Sequence, residues 1–356
     1  MKALLHENVV LGPMTTLGIG GPARYFIHTQ DEKTLVDAIH FAVDQHLPIF
    51  VLGGGSNLLV ADRGFSGLVL KVGLRGIDWE PQRDKALIRV SAGEEWDSFV
   101  ALCIRRGLAG VECLSGIPGS VGGTPVQNVG AYGQEISEVL VAVRAYDRQT
   151  GKMVELSHAD CQFTYRSSVF NTTAKDRYIV LGVTYALTPA GRPAIRYPDV
   201  EREFEGKTTD PTLADVRDAV RSIRSRKAML LVEGDPDCRS AGSFFKNPII
   251  SEQTFSQIEA AVPGERVPRY PAGPGLFKTA AAWLIEQAGF SKGYSLGPVG
   301  LSRKHTLAIV NKGGATAEDV LRLVRQIQDR VERKFGLRLT PEPVFLGFGN
   351  EQGSRE

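Results

Sequence analysis

Several classes of protein are disfavoured by what this sequence lacks. No apolar run approaches the roughly 18 residues that could span a bilayer, and the start, Met1-Lys2-Ala3-Leu4-Leu5-His6-Glu7, has no long apolar segment of the signal-peptide kind. A cytoplasmic protein without a membrane partner is expected. Only four cysteines occur, Cys103, Cys113, Cys161 and Cys238, and they form no C-x-x-C pair or other metal spacing. That points away from a disulfide framework and from zinc, and no metal is expected. Charge of one sign is not in excess: 42 Lys plus Arg against 40 Asp plus Glu leave +2, too balanced to mark a nucleic-acid binder by charge. Internal repeats and low-complexity tracts are missing too. With 42% hydrophobic and 23% charged residues the chain is neither disordered nor a stapled miniprotein, and its 356 residues are enough for two or three domains.

What is present reads as alternating α/β and β-rich texture. Residues 23–28 are strand-like, Thr29-x-x-Glu32 reads as a capping box, and Leu35, Ile39, Ala42 and Val43 share one helical face. The apolar run 49–52 predicts a buried strand. Strands are then expected at 86–91, 139–146 and 178–187, with a helix near 94–106 carrying Trp96, Val100 and Cys103. The segment 107–134 is too glycine-rich for helix and too long for an idle connection, so it is expected to bind something. Helices are predicted at 212–224, 278–288 and 317–335, the last presenting Val320, Val324, Ile327, Val331 and Phe335 before Gly336 stops it.

Among the 39 glycines, two dense clusters stand out. Gly53-Gly54-Gly55-Ser56-Asn57 follows the strand at 49–52, where glycines let backbone N–H groups converge on phosphate oxygens. It is not a dinucleotide fingerprint of the G-x-G-x-x-G type, because Leu58-Leu59-Val60 continues as strand and not helix. Alone, it reads equally as a tight structural turn. The second cluster, Ser115-Gly116-Ile117-Pro118-Gly119-Ser120-Val121-Gly122-Gly123-Thr124-Pro125, holds four glycines in eleven residues and leads into Gln127-Asn128-Val129-Gly130-Ala131-Tyr132-Gly133. Chain reversal needs nothing of the kind, so a diphosphate cradle is the better reading, and two such loops imply a dinucleotide.

These clusters, with Tyr165-Arg166-Ser167-Ser168-Val169-Phe170 and Gly242-Ser243-Phe244-Phe245-Lys246-Asn247-Pro248, resemble those of the UDP-N-acetylenolpyruvoylglucosamine reductase family in order and spacing over nearly the whole chain. The resemblance implies an α+β protein: a FAD-binding fold of the vanillyl-alcohol-oxidase (PCMH) type in two lobes, 1–72 and 73–225, and a C-terminal α/β substrate domain at 226–350. It implies FAD as cofactor, NADPH as hydride donor, a UDP-sugar enolpyruvyl ether as substrate, and a place in peptidoglycan precursor synthesis as a monomer. Neither glycine cluster contains His or Cys, the residues that attach flavin covalently elsewhere in this fold, so non-covalent FAD is expected. Gly53, Gly54, Gly55, Ser56 and Asn57, with Ile117, Pro118, Gly119, Ser120, Gly122, Gly123, Asn128, Gly130, Ala131 and Tyr132, are the implied cofactor-binding residues.

Reduction of an enolpyruvyl ether needs a cation or acid at the carboxylate, a proton donor at the carbon beside it and a flavin held face-on. By resemblance Arg166 supplies the cation, Ser243 the proton, and Glu342 a hydrogen bond or proton to the enol. From the residues alone, Arg166 reads as a surface ion pair, Ser243 as a loop serine without a His or Asp at a telling spacing, and Glu342 as a strand-edge residue held between Pro341 and Pro343. Here Pro343 departs from the valine that many family members carry. Lys227, Asn247 and His305 are the implied partners of the substrate diphosphate. Tyr197, in Ala194-Ile195-Arg196-Tyr197-Pro198-Asp199-Val200, would be the tyrosine that one family subtype brings over its substrate, although this stretch also reads as a plain β-hairpin. A flavin oxidase of the same fold and a non-catalytic nucleotide-sugar sensor are the rival functions. Anaerobic bleaching by NADPH separates the first, and turnover the second.

Overall fold

Alternating apolar residues build the main sheet, and their register decides where the glycine-rich segment lies. A computed structural model describes residues 4–82 and 84–349; the first three residues of the expected first lobe and the last of the expected C-terminal domain fall outside them. The chain separates into two compact units. One takes in the chain up to Val9, Ala23–Gly55 and Ser66–Arg226, the other Val10–Pro22, Ser56–Phe65 and the chain from Lys227 onward.

In the first unit the strands Lys152–Ser157, Leu140–Asp147, Tyr178–Pro189, Ala86–Ser91 and Ile77–Pro81 pair in that order, and Leu108–Ala109 adds to the Tyr178–Pro189 strand. The neighbours in this order are antiparallel. A second sheet orders His6–Val10, Pro22–Thr29, Phe65–Val72 and Ile49–Leu52, with the last two parallel. Ile27, Leu35 and Leu68 join Val90, Phe99 and Tyr185 in a single hydrophobic core, so residues expected in two lobes share one interior. Three local expectations change. The strand runs through Thr29, which is fully buried, and the helix Glu32–Asp44 is capped by Asp31, whose carboxylate accepts from Thr34 N at 2.8 Å. Its buried face includes Ala38, while Val43 is 58% exposed. In the strand Ile49–Leu52 only the two end residues are buried.

Helix Trp96–Arg105 and the core fasten the long segment that follows. Trp96, Phe99 and Tyr185 pack with centroids 5.4–6.0 Å apart. Their polar atoms reach into the segment: Trp96 Nε1 donates to Leu114 O at 3.0 Å, and Tyr185 OH lies 2.8 Å from Thr124 Oγ1. Asp97 on the same helix accepts from Gly116 N at 2.6 Å while Arg217 and Arg221, on helix Leu213–Arg226, bind its two oxygens at 2.7–2.9 Å.

The second unit is built on the sheet Ser240–Ser243, Ala308–Asn311, Val299–Leu301, Ser295–Leu296. Over it lies helix Ala317–Phe335, whose Val320, Val324, Ile327, Val331 and Phe335 are all buried as their spacing predicts. Thr316 and Asp319 form its capping box, and Gly336 ends it in the left-handed conformation (φ 66°). Strand Val344–Leu346 pairs in parallel with Leu58–Val60, joining the end of the chain to residues just past the first glycine cluster. Thr16 Oγ1 donates to Ser240 O at 2.6 Å and Asn311 Nδ2 to Leu17 O at 3.1 Å, which ties 10–22 to this sheet. Among the described residues no helix is long and apolar enough to cross a membrane.

Burial alone would raise the Asp97 carboxyl, but the hydrogen bonds from Arg217 and Gly116 and the charge of Arg221 outweigh it and hold the group below its ordinary value. A depressed carboxylate stabilises the fold above its unfolded pKa of about 3.9 and loses that contribution as pH falls through the folded value. Asp97→Asn is therefore expected to destabilise by about 1–2 kcal/mol at neutral pH, allowing for partial solvent access. In urea titrations the gap from the parent should close on acidification below about pH 4. A gap that stays constant with pH would show that the charge contributes nothing.

Candidate active site

The two glycine clusters meet. A Cβ on Gly54 would lie 2.5 Å from Gly119 Cα, and one on Gly53 2.9 Å from Ser120 Oγ, so 53–54 and 119–120 touch through main chain and a hydroxyl where no further side chain fits. The second loop is held by its own backbone: Gly119 O accepts from Trp96 N at 3.0 Å, Val121 N donates to Glu94 O at 2.9 Å, and Gly122 N to Ala92 O at 2.9 Å. Gly122 has no room for a Cβ either, since one would sit 2.6 Å from the Cβ of Ala92. Residues Val121–Gly123 form a single 3-10 turn. At Gly53, Gly54 and Gly122 the two loops are packed as bare main chain, because the space a Cβ would need is already taken by protein atoms.

Beyond the loop, Arg224 is 8% exposed and its Nε donates to Gly116 O at 3.1 Å. Burial pulls its guanidinium below the ordinary value, against the opposing effects of Tyr132 and Asp97. Burial likewise pushes the Tyr132 phenol up to about 12. Tyr132 meets Tyr197 edge to face, with centroids 5.5 Å apart. Tyr197 is the N-cap residue of helix Pro198–Phe204, so the hairpin alternative for 194–200 does not form; Pro198 at the first position starts a helix instead. Ala194 N donates to Glu112 Oε1 at 2.8 Å.

Arg166 sits in a turn closed by Thr164 and Ser167, which exchange backbone hydrogen bonds at 3.0 and 3.1 Å. Its φ is 55°, and Asn128 (43°) and Tyr132 (48°) are also left-handed. Side chains seldom adopt that region, and such positions concentrate at functional sites. The Arg166 guanidinium donates to Gly130 O at 2.6 Å and Asn128 O at 3.4 Å, which places the main chain of 128–130 beside it in space.

In the second unit Ser243 ends the strand Ser240–Ser243, and the next residues pair with the chain terminus. Phe245 bridges Pro341, Lys246 N donates to Thr340 O at 3.0 Å, and Glu342 N to Phe244 O at 2.9 Å. Glu342 and Ser243 thus lie on neighbouring backbone segments. Asn57 joins them: its Nδ2 donates to Glu342 O at 3.3 Å and its carbonyl accepts from Val344 N at 3.0 Å. Asn247 Oδ1 accepts from Ala281 N at 2.9 Å, His305 Nδ1 lies 3.5 Å from Leu307 N, and Lys227 opens this part of the unit, half-buried.

The four cysteines are buried and unpaired, and burial pushes the thiols of Cys113 and Cys161 up to about 12. Among the described residues no group of three or more His, Cys, Asp or Glu is placed to hold a metal ion. Sequence reasoning missed the buried Glu112, whose carboxylate accepts from Gly110 N, Gln134 Nε2 and Ala194 N at 2.7–2.8 Å. A lone acid amid Gly110-Val111 and Cys113-Leu114 was its one available signal.

Comparison with known proteins fits this layout. A profile described as "FAD binding domain" matches residues 23–157, and one described as "UDP-N-acetylenolpyruvoylglucosamine reductase, C-terminal domain" matches 235–346. The crystal structure of the Thermus caldophilus UDP-N-acetylenolpyruvylglucosamine reductase superposes with a TM-score of 0.67 at 28% identity, covering 96% of this chain and 98% of that one. With the mixed helices and sheets described above, these matches bear out the expected α+β, flavin-binding fold class. The UDP-N-acetylenolpyruvoylglucosamine reductase of Streptomyces coelicolor is 44% identical over 96% of this chain and 90% of its own. That of Thermobifida fusca is 50% identical over 98% of this chain and 99% of its own. Identity at that level from end to end makes this chain a member of the UDP-N-acetylenolpyruvoylglucosamine reductase family.

Proposed function

We propose that this protein is an FAD-containing, NADPH-dependent reductase of UDP-N-acetylglucosamine enolpyruvate, yielding UDP-N-acetylmuramate for peptidoglycan. Beyond family membership, the observation that carries the reading to this chain's own residues is the pairing of 340–342 with 244–246, which brings Glu342 beside the Ser243 segment. An oxidase or a passive sensor has no use for that pair. The reading carries with it a monomeric cytoplasmic enzyme that takes small molecules and no nucleic acid.

The touching loops at 53–54 and 119–120 fit a dinucleotide, since main chain without side chains can lie against a diphosphate. Bound non-covalently there, FAD supplies hydride transfer from NADPH to the terminal carbon of the enolpyruvyl group. As that carbon becomes a methyl, charge builds on the substrate carboxylate, and the Arg166 guanidinium, a rigid planar fork, meets it. Ser243 Oγ gives its proton to the carbon beside the carboxylate, a carbanion-like centre basic enough to take it from a weak acid. Glu342 hydrogen-bonds or protonates the enol oxygen. Lys227, Asn247 and His305 bind the sugar-nucleotide diphosphate, and Tyr197 covers the substrate. NADPH and the sugar nucleotide use one site in turn, giving ping-pong kinetics.

Gly54→Ala is expected to weaken flavin binding about tenfold or more, because overpacking of this order costs about 1–3 kcal/mol and 1.4 kcal/mol is a factor of ten. Flavin titration of the apoprotein checks the affinity, and denaturation of the purified holoprotein checks the attachment; unchanged affinity would contradict the cradle, and flavin that stays on the precipitated chain would contradict non-covalent attachment.

Ser243→Ala should spare flavin reduction by NADPH and slow reoxidation by the enolpyruvyl sugar by about a hundred- to ten-thousand-fold. Ser243→Cys should retain more activity, since a thiol still donates a proton. Equal slowing of both half-reactions in anaerobic stopped flow would make Ser243 a binding or folding residue.

Arg166→Ala and Glu342→Ala should each lower substrate reduction far more than ground-state binding, because the carboxylate gains charge only in the transition state. The double variant should lose much less than the product of the single losses. Fully multiplicative losses in single-turnover reoxidation would end the assignment of both residues to one developing charge.

A further inference from the structure

We propose that Asn128 is the positioning residue of Arg166, fixing both the turn that carries the arginine and the guanidinium itself. This rests on the reading of Arg166 given above. Arg166 occupies the left-handed region within the Thr164–Ser167 turn, a conformation that is unfavourable in a residue with a Cβ. Neighbouring structure must therefore hold it there. Asn128 does so from two sides. Its Nδ2 donates to Thr164 O at 3.1 Å, the same carbonyl that closes the turn by accepting Ser167 N. Its own carbonyl accepts Arg166 Nη1 at 3.4 Å, while Gly130 O, two residues on, accepts Nη2 at 2.6 Å.

The side chain suited to this position is an asparagine. Asn128 is 1% exposed, and its other amide hydrogen goes to Glu135 Oε2 at 2.9 Å while Oδ1 accepts Ser137 N at 3.1 Å. Both amide hydrogens are therefore committed within the protein, and none is left to give a cofactor. An aspartate would lose both donors and set a second carboxylate against Glu135. The backbone at 128 is itself left-handed (φ 43°), which asparagine tolerates better than most residues, and this turns its carbonyl toward the guanidinium. The Asn128 side chain thus acts on the arginine, and any cofactor contact at this position is left to its main chain, which a glycine preserves.

Asn128→Gly keeps the left-handed backbone accessible while deleting the amide. In the full-length flavin-loaded enzyme, anaerobic single-turnover reoxidation by the enolpyruvyl sugar should slow about a hundredfold, the scale on which a misplaced group loses rate. Flavin content and reduction by NADPH should stay near those of the parent. In an Arg166→Ala background the same change should cost less than about threefold further, because the residue it positions is gone. Glu135→Ala, which removes one amide partner from outside the turn, should slow reoxidation selectively too, and serves if Asn128→Gly does not fold. Loss of flavin, equal slowing of both half-reactions, or multiplicative losses with Arg166→Ala would overturn the proposal. If Arg166→Ala alone left reoxidation intact, the role of the arginine would fall first, and the single variant would reveal it.

Discussion

The contact between Gly54 and Gly119 constrains the rest of the first unit. A Cβ at 54 would stand 2.5 Å from the Cα of 119, less than any packed pair of carbons tolerates, so the two loops approach as bare main chain. Bare main chain has no side-chain packing to hold it in place, and glycine costs more backbone entropy on ordering than any other residue. The order must come from elsewhere. It comes from backbone bonds to 92–96 and from polar atoms of the core that reach out to the segment. Trp96 and Tyr185 spend their one polar atom each on Leu114 O and Thr124 Oγ1.

Buried charge does the same work at the two ends of this segment. Asp97 holds Gly116 N with two arginines behind it, and Glu112 gathers Gly110 N, Gln134 and Ala194 N. Glu112 fixes two backbone points and a side chain at once, and Asp97 one backbone point and two arginines, which a hydrophobic side chain of the same volume could not do, because dispersion has no direction and a charge-assisted hydrogen bond does. The same logic explains why the left-handed positions Asn128, Tyr132 and Arg166 fall in this region: conformations with an intrinsic cost persist where surrounding bonds over-determine them.

Contiguous patterns were legible in the sequence and long-range pairings were not. The helix Ala317–Phe335 was read from five apolar residues at helical spacing and a terminal glycine, because both signals are local. That the glycine clusters serve close backbone approach was legible, since the requirement lies in each residue's missing Cβ; that the approach is of one cluster to the other was not. The capping box at Thr29 failed because tertiary pairing extended the strand through that residue, and a strand residue cannot cap the next helix. Asp97 with Arg217, Thr16 with Ser240 and Asn57 with Glu342 left no trace in spacing, because each joins residues more than a hundred positions apart. For the same reason 10–22 and 56–65 gave no sign that they fold with the C-terminal unit.

The cluster Gly53-Gly54-Gly55-Ser56-Asn57 shows how one short motif can answer to two sets of forces. Its first residues are constrained sterically, by the Gly119 backbone and the Ser120 hydroxyl. Its last is constrained by hydrogen bonding, with the Asn57 amide donating to Glu342 O and the Asn57 carbonyl accepting from Val344 N. The division between the units falls inside the motif, after Gly55. Substitution at the front is opposed by repulsion, which rises steeply with any added atom. At the back it is opposed by loss of a donor, which leaves the Glu342 carbonyl short of a partner. The five residues are therefore not interchangeable members of one loop: Gly53 and Gly54 belong to the contact with 119–120, and Asn57 belongs to the backbone around Glu342.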